Sequence, residues 1–170
     1  LRRRTHHAEK VAIGKAAAAL VKDGYSVALD SSSTSFEIAQ SLKQLDNLTV
    51  VTNSLIMAQQ FLDRPDIQVI LPGGRLRRES VSLVGNPTSY PIINLNMGLF
   101  GARGVTREAG ITEASIQEAE DKRGMIELCR SVVVVLDSSK WGHIAPYTFL
   151  EAHEARYITT EKASPELVEA

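Results

Sequence analysis

The sequence predicts an α/β domain of Rossmann-like, three-layer form, a mostly parallel sheet with helices on both faces. Three observations carry that expectation: short apolar runs rich in β-branched residues, stretches of helical period between them, and a polar cluster wherever a run ends. Strands that alternate with helices need crossover connections, so the strands run parallel and the helices cover the sheet. A chain of 170 residues can bury roughly 70% of its unfolded surface in one core. A single domain over residues 1–170 is expected.

Residues 8–22, AEKVAIGKAAAALVK, place Ile13, Ala17, Leu20 and Val21 on one face at helical spacing, and Gly24 supplies the stop. YSVALD (25–30) reads as a short buried strand. The hydroxyl run Ser31 to Thr34 follows it, and Ile38, Leu42 and Leu45 mark the next helix. The unit then repeats. LTVVT (48–52) leads through Asn53 and Ser54 into the helix LIMAQQFL, and IQVIL (67–71) runs into the turn PGG. MGLF (97–100) leads into GARG, and the amphipathic stretch SIQEAEDKRGMIELC (115–129) precedes SVVVVLD and SSK. No low-complexity segment or internal linker interrupts the pattern.

Charge and composition exclude several functions. With 19 basic and 20 acidic side chains the formal net charge is −1, which gives no blanket attraction to nucleic acid or anionic membrane. No apolar stretch approaches the ~20 residues a bilayer requires, and no signal peptide opens the chain, so a cytoplasmic protein is expected. The lone Cys129 cannot pair internally and sits in a helical pattern, which favours a buried small hydrophobe over a reactive thiol. His6, His7, His143 and His153 lack metal-ligand spacing with acidic or Cys partners. No metal or other cofactor is expected.

In a parallel sheet the strand C-terminal ends share one edge, and ligands bind in the crevice outside it. The clusters Asp30 to Ser35, Thr52 to Ser54, Gly101 to Gly104 and Asp137 to Lys140 all follow strands and should converge there. Ser32, Ser33 and Thr34 fall at a helix start, where free N–H groups and the helix dipole suit a phosphate. Capping the helix is the simpler role, and one hydroxyl suffices for it. Lys122 and Lys140 either neutralise a bound anion or are solvated. Asp137 is a helix cap or a hydroxyl acceptor. Ser139 and Lys140 are adjacent and no oxyanion loop is identifiable, which argues against acyl transfer. PGGRLRR reads more readily as a solvated turn than as a phosphate cradle, and LRRR at the start as the end of a linker rather than a nucleic-acid patch.

The segments DGYSVALDSSSTSFEIAQSL, LTVVTNSLIMA, LPGGRLRRESVSLVG, LFGARGV, EAGITEASIQEAEDKRGMI and VVVVLDSSKWG occur in one order and spacing. In that order the chain resembles the C-terminal sensor domain of the DeoR family, bacterial repressors of sugar metabolism. The resemblance implies a domain that binds a phosphorylated sugar or related metabolite and signals to an upstream winged-helix DNA-binding domain. No helix-turn-helix pattern precedes the first helix and the chain opens on Leu1, so it looks like the sensor part alone, with DNA contacted only through the upstream domain. It implies that Ser32, Ser33 and Thr34 hold the phosphate with Lys122, and that Asp30, Thr52, Asn53 and Asp137 orient hydroxyls. Gly101 and Ala102 would let ligand approach backbone, and Lys140 would close the rim. An assembly of like subunits is expected.

The family fold is similar to ribose-5-phosphate isomerase and the CoA transferases, so a sugar-phosphate isomerase is the alternative. The isomerase's Asp-Gly-Ala-Asp-Glu segment corresponds to Phe100 to Gly104, where the three carboxylates are absent. Arg103 stays protonated and cannot act as the base. Asp121 falls near the isomerase's remaining catalytic glutamate. Two departures stand out within the family pattern. Ser32 replaces the glycine of D-x-G-S-T, and would be strained if that position requires positive φ. Asn96 stands where an acid usually precedes F-x-G-A, and Arg103 offers a second grip on phosphate or a fork for a carboxylate.

Overall fold

A computed structural model describes residues 6–85, 90 and 93–159. The Arg2 to Arg4 segment lies outside them. The elements run α1 His7–Ala18, β1 Ser26–Leu29, α2 Ser33–Leu42, β2 Thr49–Thr52, α3 Leu55–Gln59, β3 Gln68–Ile70, β4 Arg75–Arg77, β5 Ser82–Val84, β6 Met97–Gly101, β7 Gly104–Thr106, β8 Gly110–Glu113, α4 Ile116–Ile126, β9 Val132–Val135, β10 Tyr147–Leu150 and β11 Arg156–Ile158.

Six strands form one sheet in the order β11-β9-β6-β1-β2-β3, every neighbouring pair parallel. Side chains alternate across it, as a strand's period of two requires. Val27, Leu29, Val50, Leu99, Val133 and Val135 meet α1, α2 and α3 through Ile13, Ala17, Ile38, Leu42 and Met57. Ala28, Val51 and Phe100 point the other way and pack on Met125 of α4. The expected three-layer α/β architecture is therefore present. From β1 the chain winds outward through β2 and β3, then returns to place β6 on β1's other side. The winding direction reverses between β1 and β6, so the crevice opens there.

Several boundaries move. α1 stops at Ala18 because its last turn tightens, Leu20 N–H donating to Ala17 O and Val21 N–H to Ala18 O. Leu20 therefore leaves the buried face and is 38% exposed. Leu45 lies beyond α2, in a turn closed by its N–H to Leu42 O, and Phe61 beyond α3 in a similar turn. The antiparallel sheet β10-β8-β7, the hairpin β4-β5 and the edge strand β11 had no counterpart in the sequence reading. Segments such as RLR, GVT and RYI are too short to display a period. Among the described residues no helix is long and apolar enough to cross a membrane.

α1 lies close against α2. A Cβ on Gly14 would fall 2.8 Å from the Glu37 carbonyl carbon. Gly14→Ala gains about 1 kcal/mol of helix propensity, whereas forcing a methyl against backbone costs ~1–3 kcal/mol. The steric cost wins, and urea unfolding should show a net loss of about 1 kcal/mol; a stabilised variant would mean the helices are not in contact at Gly14.

Candidate functional site

The cleft at the β1/β6 switch point has a volume of about 750 Å³, within the usual range for small-molecule sites. It is lined by the ends of β1, β6 and β9, the starts of α1, α2 and α3, the β4-β5 hairpin, and one face of α4. Of the residues singled out from sequence, Asp30, Ser32, Ser33, Thr34, Gly101, Ala102, Arg103, Lys122, Asp137 and Lys140 all line it. Thr52 and Asn53 do not. Thr52 Oγ1 accepts from the Ser54 N–H, and Asn53 Nδ2 donates to Asp121 Oδ2 at 3.4 Å, so both of these atoms are engaged within the protein.

The hydroxyl run divides into distinct tasks. Ser32 is the N-cap of α2, its Oγ accepting from the Ser35 N–H at 3.1 Å. Its φ of −71° is ordinary extended backbone, so serine replaces the family glycine here without strain. Ser35 turns inward and donates to Asp30 Oδ1 at 2.5 Å. Ser33 and Thr34 occupy the first two helical positions. Their N–H groups have no acceptor among the described residues, as expected of a helix's first turn. The Thr34 side chain is 6% exposed and its hydroxyl makes no hydrogen bond there.

Asp30 is saturated. It accepts from Ser32 N–H (3.2 Å), Ser35 Oγ, Gly101 N–H (3.0 Å) and Lys122 Nζ (2.9 Å). A Cβ on Gly101 would lie 2.6 Å from both Cβ and Oγ of Ser32; glycine there admits the Ser32 cap. Lys122 is equally committed: besides Asp30, its Nζ donates to Glu113 Oε2 at 2.7 Å and to Gly101 O at 2.6 Å. Burial opposes charge on Lys122, but the two carboxylates outweigh it and raise its pKa. Burial would likewise raise Glu113, yet the Lys122 ammonium holds it below the usual range. With Asp30, Glu113 and Gly101 O as acceptors, Lys122 has no N–H left for a phosphate.

Asp137 proves to be a cap, accepting from the Ser139 N–H at 3.0 Å and from the Ser139 hydroxyl. Ser139 is thereby bound to a carboxylate rather than paired with Lys140. Burial works against its charge, but Ser139, Lys140 and His6 keep the Asp137 pKa low. The PGG turn stays outside the cleft while Arg77, two residues into the hairpin strand, enters it. Arg77 Nη1 donates to Ser115 Oγ at 2.9 Å and meets Glu118 Oε1 at 3.0 Å, tying the hairpin to α4. Ser54, the end of the Thr52 to Ser54 cluster, does line the cleft, whereas Glu113, Glu118, Lys10 and Ser80 were missed as lining residues. Only Lys10 had a sequence signal, falling on the same helical face as Ile13 and Ala17.

The corresponding segment Phe100 to Gly104 holds no carboxylate, but the fold brings Asp30, Glu113 and Glu118 to the cleft from elsewhere. Asp121 is absent from the lining. It faces Asn53 Nδ2 (3.4 Å) and the Gly85 backbone, so it is not placed to act as the isomerase's base. Burial raises its pKa to about 6. Among the described residues no group of three or more His, Cys, Asp or Glu is arranged to hold a metal ion.

The family model described as the DeoR C terminal sensor domain matches residues 5–162. The chain is 36% identical over 155 residues to the HTH-type transcriptional regulator GolR of Listeria innocua serovar 6a, covering 90% of this chain and 61% of that protein. It is 32% identical to the glycerol-3-phosphate regulon repressor of Escherichia coli K12, covering 85% and 58%. The chain thus spans about three fifths of the length of these relatives. Ribose 5-phosphate isomerase A from Methanocaldococcus jannaschii superposes with a TM-score of 0.58 at 17% identity, covering 80% of this chain and 55% of that one. At that identity the likeness is one of fold alone.

Two outcomes test this geometry. Lys122→Met leaves Asp30 and Glu113 buried without their cation and should cost about 3–5 kcal/mol in urea unfolding; a near-neutral effect would mean the lysine is free. For Asp121, whose native pKa lies above its ordinary value, the stabilising contribution is complete below about pH 4 and is lost as pH rises through 6. Asp121→Asn should therefore remove a fall in stability of about 1–2 kcal/mol between pH 4 and 7, solvent screening allowed for. An unchanged pH profile would contradict it.

Proposed function

This chain belongs to the DeoR family of C-terminal sensor domains, and from that premise we propose that its cleft binds a phosphorylated sugar or a closely related metabolite. The ligand's phosphate lies at the start of α2. The observation that carries this reading is the pair of free N–H groups at Ser33 and Thr34, beside the Thr34 hydroxyl, which has no hydrogen-bond partner among the described residues. Three donors converge there with the positive end of a ten-residue helix. Ser32, already used as the cap, frames the site.

The committed state of Asp30 and Lys122 assigns them a supporting role: they fix β1, β6, α2 and α4 around the ligand and do not grip it. Ligand hydroxyls instead meet the polar groups left with capacity, Ser54, Ser80 and Glu118 together with the Ala102 backbone. Arg103, 3.5 Å from Glu113, stands at the side of the cleft as a further donor. The name of one relative, a glycerol-3-phosphate regulon repressor, fits a phosphorylated ligand.

Occupancy controls DNA binding by an upstream winged-helix domain, a role in keeping with the name of one relative, an HTH-type transcriptional regulator. Such control requires the ligand to prefer one of two arrangements, since equal affinity shifts nothing. The sensing role is favoured over isomerisation by the state of the acids. Asp121, the one acid the isomerase comparison named, lies outside the cleft, and Glu113 within it is bound to Lys122.

Ser33→Pro tests the phosphate position. Proline is well tolerated at the first helical position and removes the N–H in question together with the Ser33 hydroxyl, and the extended Ser32 (ψ 156°) is compatible with a following proline. Stability should change by less than about 0.5 kcal/mol, while calorimetric affinity for ribose 5-phosphate should fall about tenfold or more. Unchanged affinity would place the phosphate elsewhere. Wild-type protein should also bind ribose 5-phosphate more tightly than ribose and yield no ribulose 5-phosphate. Turnover near 1 s⁻¹, toward the low end for enzymes, would overturn the sensing assignment.

A further inference from the structure

Arg77 and Arg103 both line the cleft, and they differ in how much of their hydrogen-bonding capacity is spent. Arg77 is committed, its Nη1 donating to Ser115 Oγ at 2.9 Å and meeting Glu118 Oε1 at 3.0 Å. Arg103 is held from one side. Its backbone N–H donates to Thr112 O at 2.9 Å, which ties the link between β6 and β7 to β8, and its Nε faces Glu113 Oε1 at 3.5 Å. Glu113 is buried and anchored in turn, by Lys122 Nζ at 2.7 Å and by the Ala114 N–H at 2.9 Å. The guanidinium is thereby oriented, while its Nη1 and Nη2 groups make no hydrogen bond among the described residues.

Charge at this end of the cleft is balanced although donors are not. Asp30, Lys122, Glu113 and Arg103 form one chain of ion pairs, two anions with two cations. A second anionic group on the ligand would meet no uncancelled positive charge there. Neutral oxygens suit the position better, because their lone pairs fill N–H donors without disturbing the buried pairs. The fork also selects by shape. Two oxygens on neighbouring carbons sit side by side, as those of a carboxylate do, and each takes one N–H of a planar guanidinium.

Chain connectivity keeps Arg103 near the start of α2. Gly101 lies against the α2 cap, a Cβ there falling 2.6 Å from Ser32 Oγ, and the two residues from Gly101 to Arg103 span at most about 7 Å. A sugar with its phosphate on the α2 donors brings its hydroxyls within the same cleft as the fork. We propose that Arg103 is a specificity-determining residue, its Nη1 and Nη2 groups donating to two adjacent hydroxyl oxygens of the ligand, so that the preferred ligands are sugar phosphates carrying a vicinal diol. The inference rests on the proposed phosphate position at the start of α2 and deepens it, by naming the feature of the sugar body that is read. With its side chain 28% exposed, Arg103 is open to a ligand in a way that the buried Lys122 is not.

The test is calorimetric titration of wild type, Arg103→Gln and Arg103→Lys with ribose 5-phosphate, 2-deoxyribose 5-phosphate and inorganic phosphate. Removing the 2-hydroxyl leaves the ring form of the sugar without any two neighbouring hydroxyls, whichever pair the arginine reads. Wild type should bind ribose 5-phosphate about tenfold or more tightly than the deoxy sugar. Arg103→Gln should shrink that preference to about threefold or less, and Arg103→Lys, which keeps the charge but not the fork, should not restore it. Equal wild-type affinity for the two sugars, a preference unchanged in Arg103→Gln, or a full preference in Arg103→Lys overturns the role of Arg103 while leaving the phosphate site standing. An Arg103→Gln variant that loses inorganic phosphate and ribose 5-phosphate in equal measure makes the arginine a phosphate contact and overturns the role as well. Absence of binding of every probe to the wild type overturns both readings. Should Arg103→Gln fail to fold, the wild-type preference and Arg103→Lys decide.

Discussion

The carboxylate of Asp30 is the constraint on which the cleft depends. It gathers the N–H of Ser32, the hydroxyl of Ser35, the N–H of Gly101 and the ammonium of Lys122, and so joins the ends of β1 and β6 to α2 and α4 at the point where the sheet changes winding direction. A buried carboxylate is tolerable only when its lone pairs are filled and its charge is met. Both conditions are satisfied by protein groups. The consequence is functional: the strongest cation in the cleft is neutralised before any ligand arrives, and the ligand must be held by what remains.

What remains is unevenly distributed. Committed pairs, Lys122 with Asp30 and Glu113 and Arg77 with Glu118, occupy the α4 side. Unfilled donors occupy the start of α2, and Lys10 and Lys140 line the same cleft. A molecule with a dianionic end and a neutral, hydroxyl-bearing body matches that polarity. Affinity for such a molecule is a matter of filling donors already in place, which avoids reorganising the buried charges.

The parallel core was legible because its strands are buried on both faces and read as unbroken β-branched runs, as in SVVVVLD. Convergence of the post-strand clusters followed from the parallel direction alone, and nine of the eleven site residues drawn from those clusters line one cleft, as does Lys122 of α4. Thr52 and Asn53 lie outside that lining, where Thr52 Oγ1 accepts from the Ser54 N–H and Asn53 Nδ2 donates to Asp121. The state of Lys122 was not legible. Its partner Glu113 lies nine residues away on β8, whose segment GITE lacks the apolar run that marks β1, β2 and β9, and a lysine seen without its carboxylates looks free. Lys10 was hidden for the opposite reason, as one polar position on the apolar side of a helix assigned wholly to the core.

The central claim, that phosphate sits at the start of α2 and not on Lys122, is tested most directly by a two-dimensional amide NMR titration with ribose 5-phosphate beside ribose. The account predicts that the Ser33 and Thr34 amide protons move furthest downfield with the phosphorylated sugar and stay in place with the free one. Largest shifts at Ala102 and Arg103, with Ser33 and Thr34 unmoved, would contradict it.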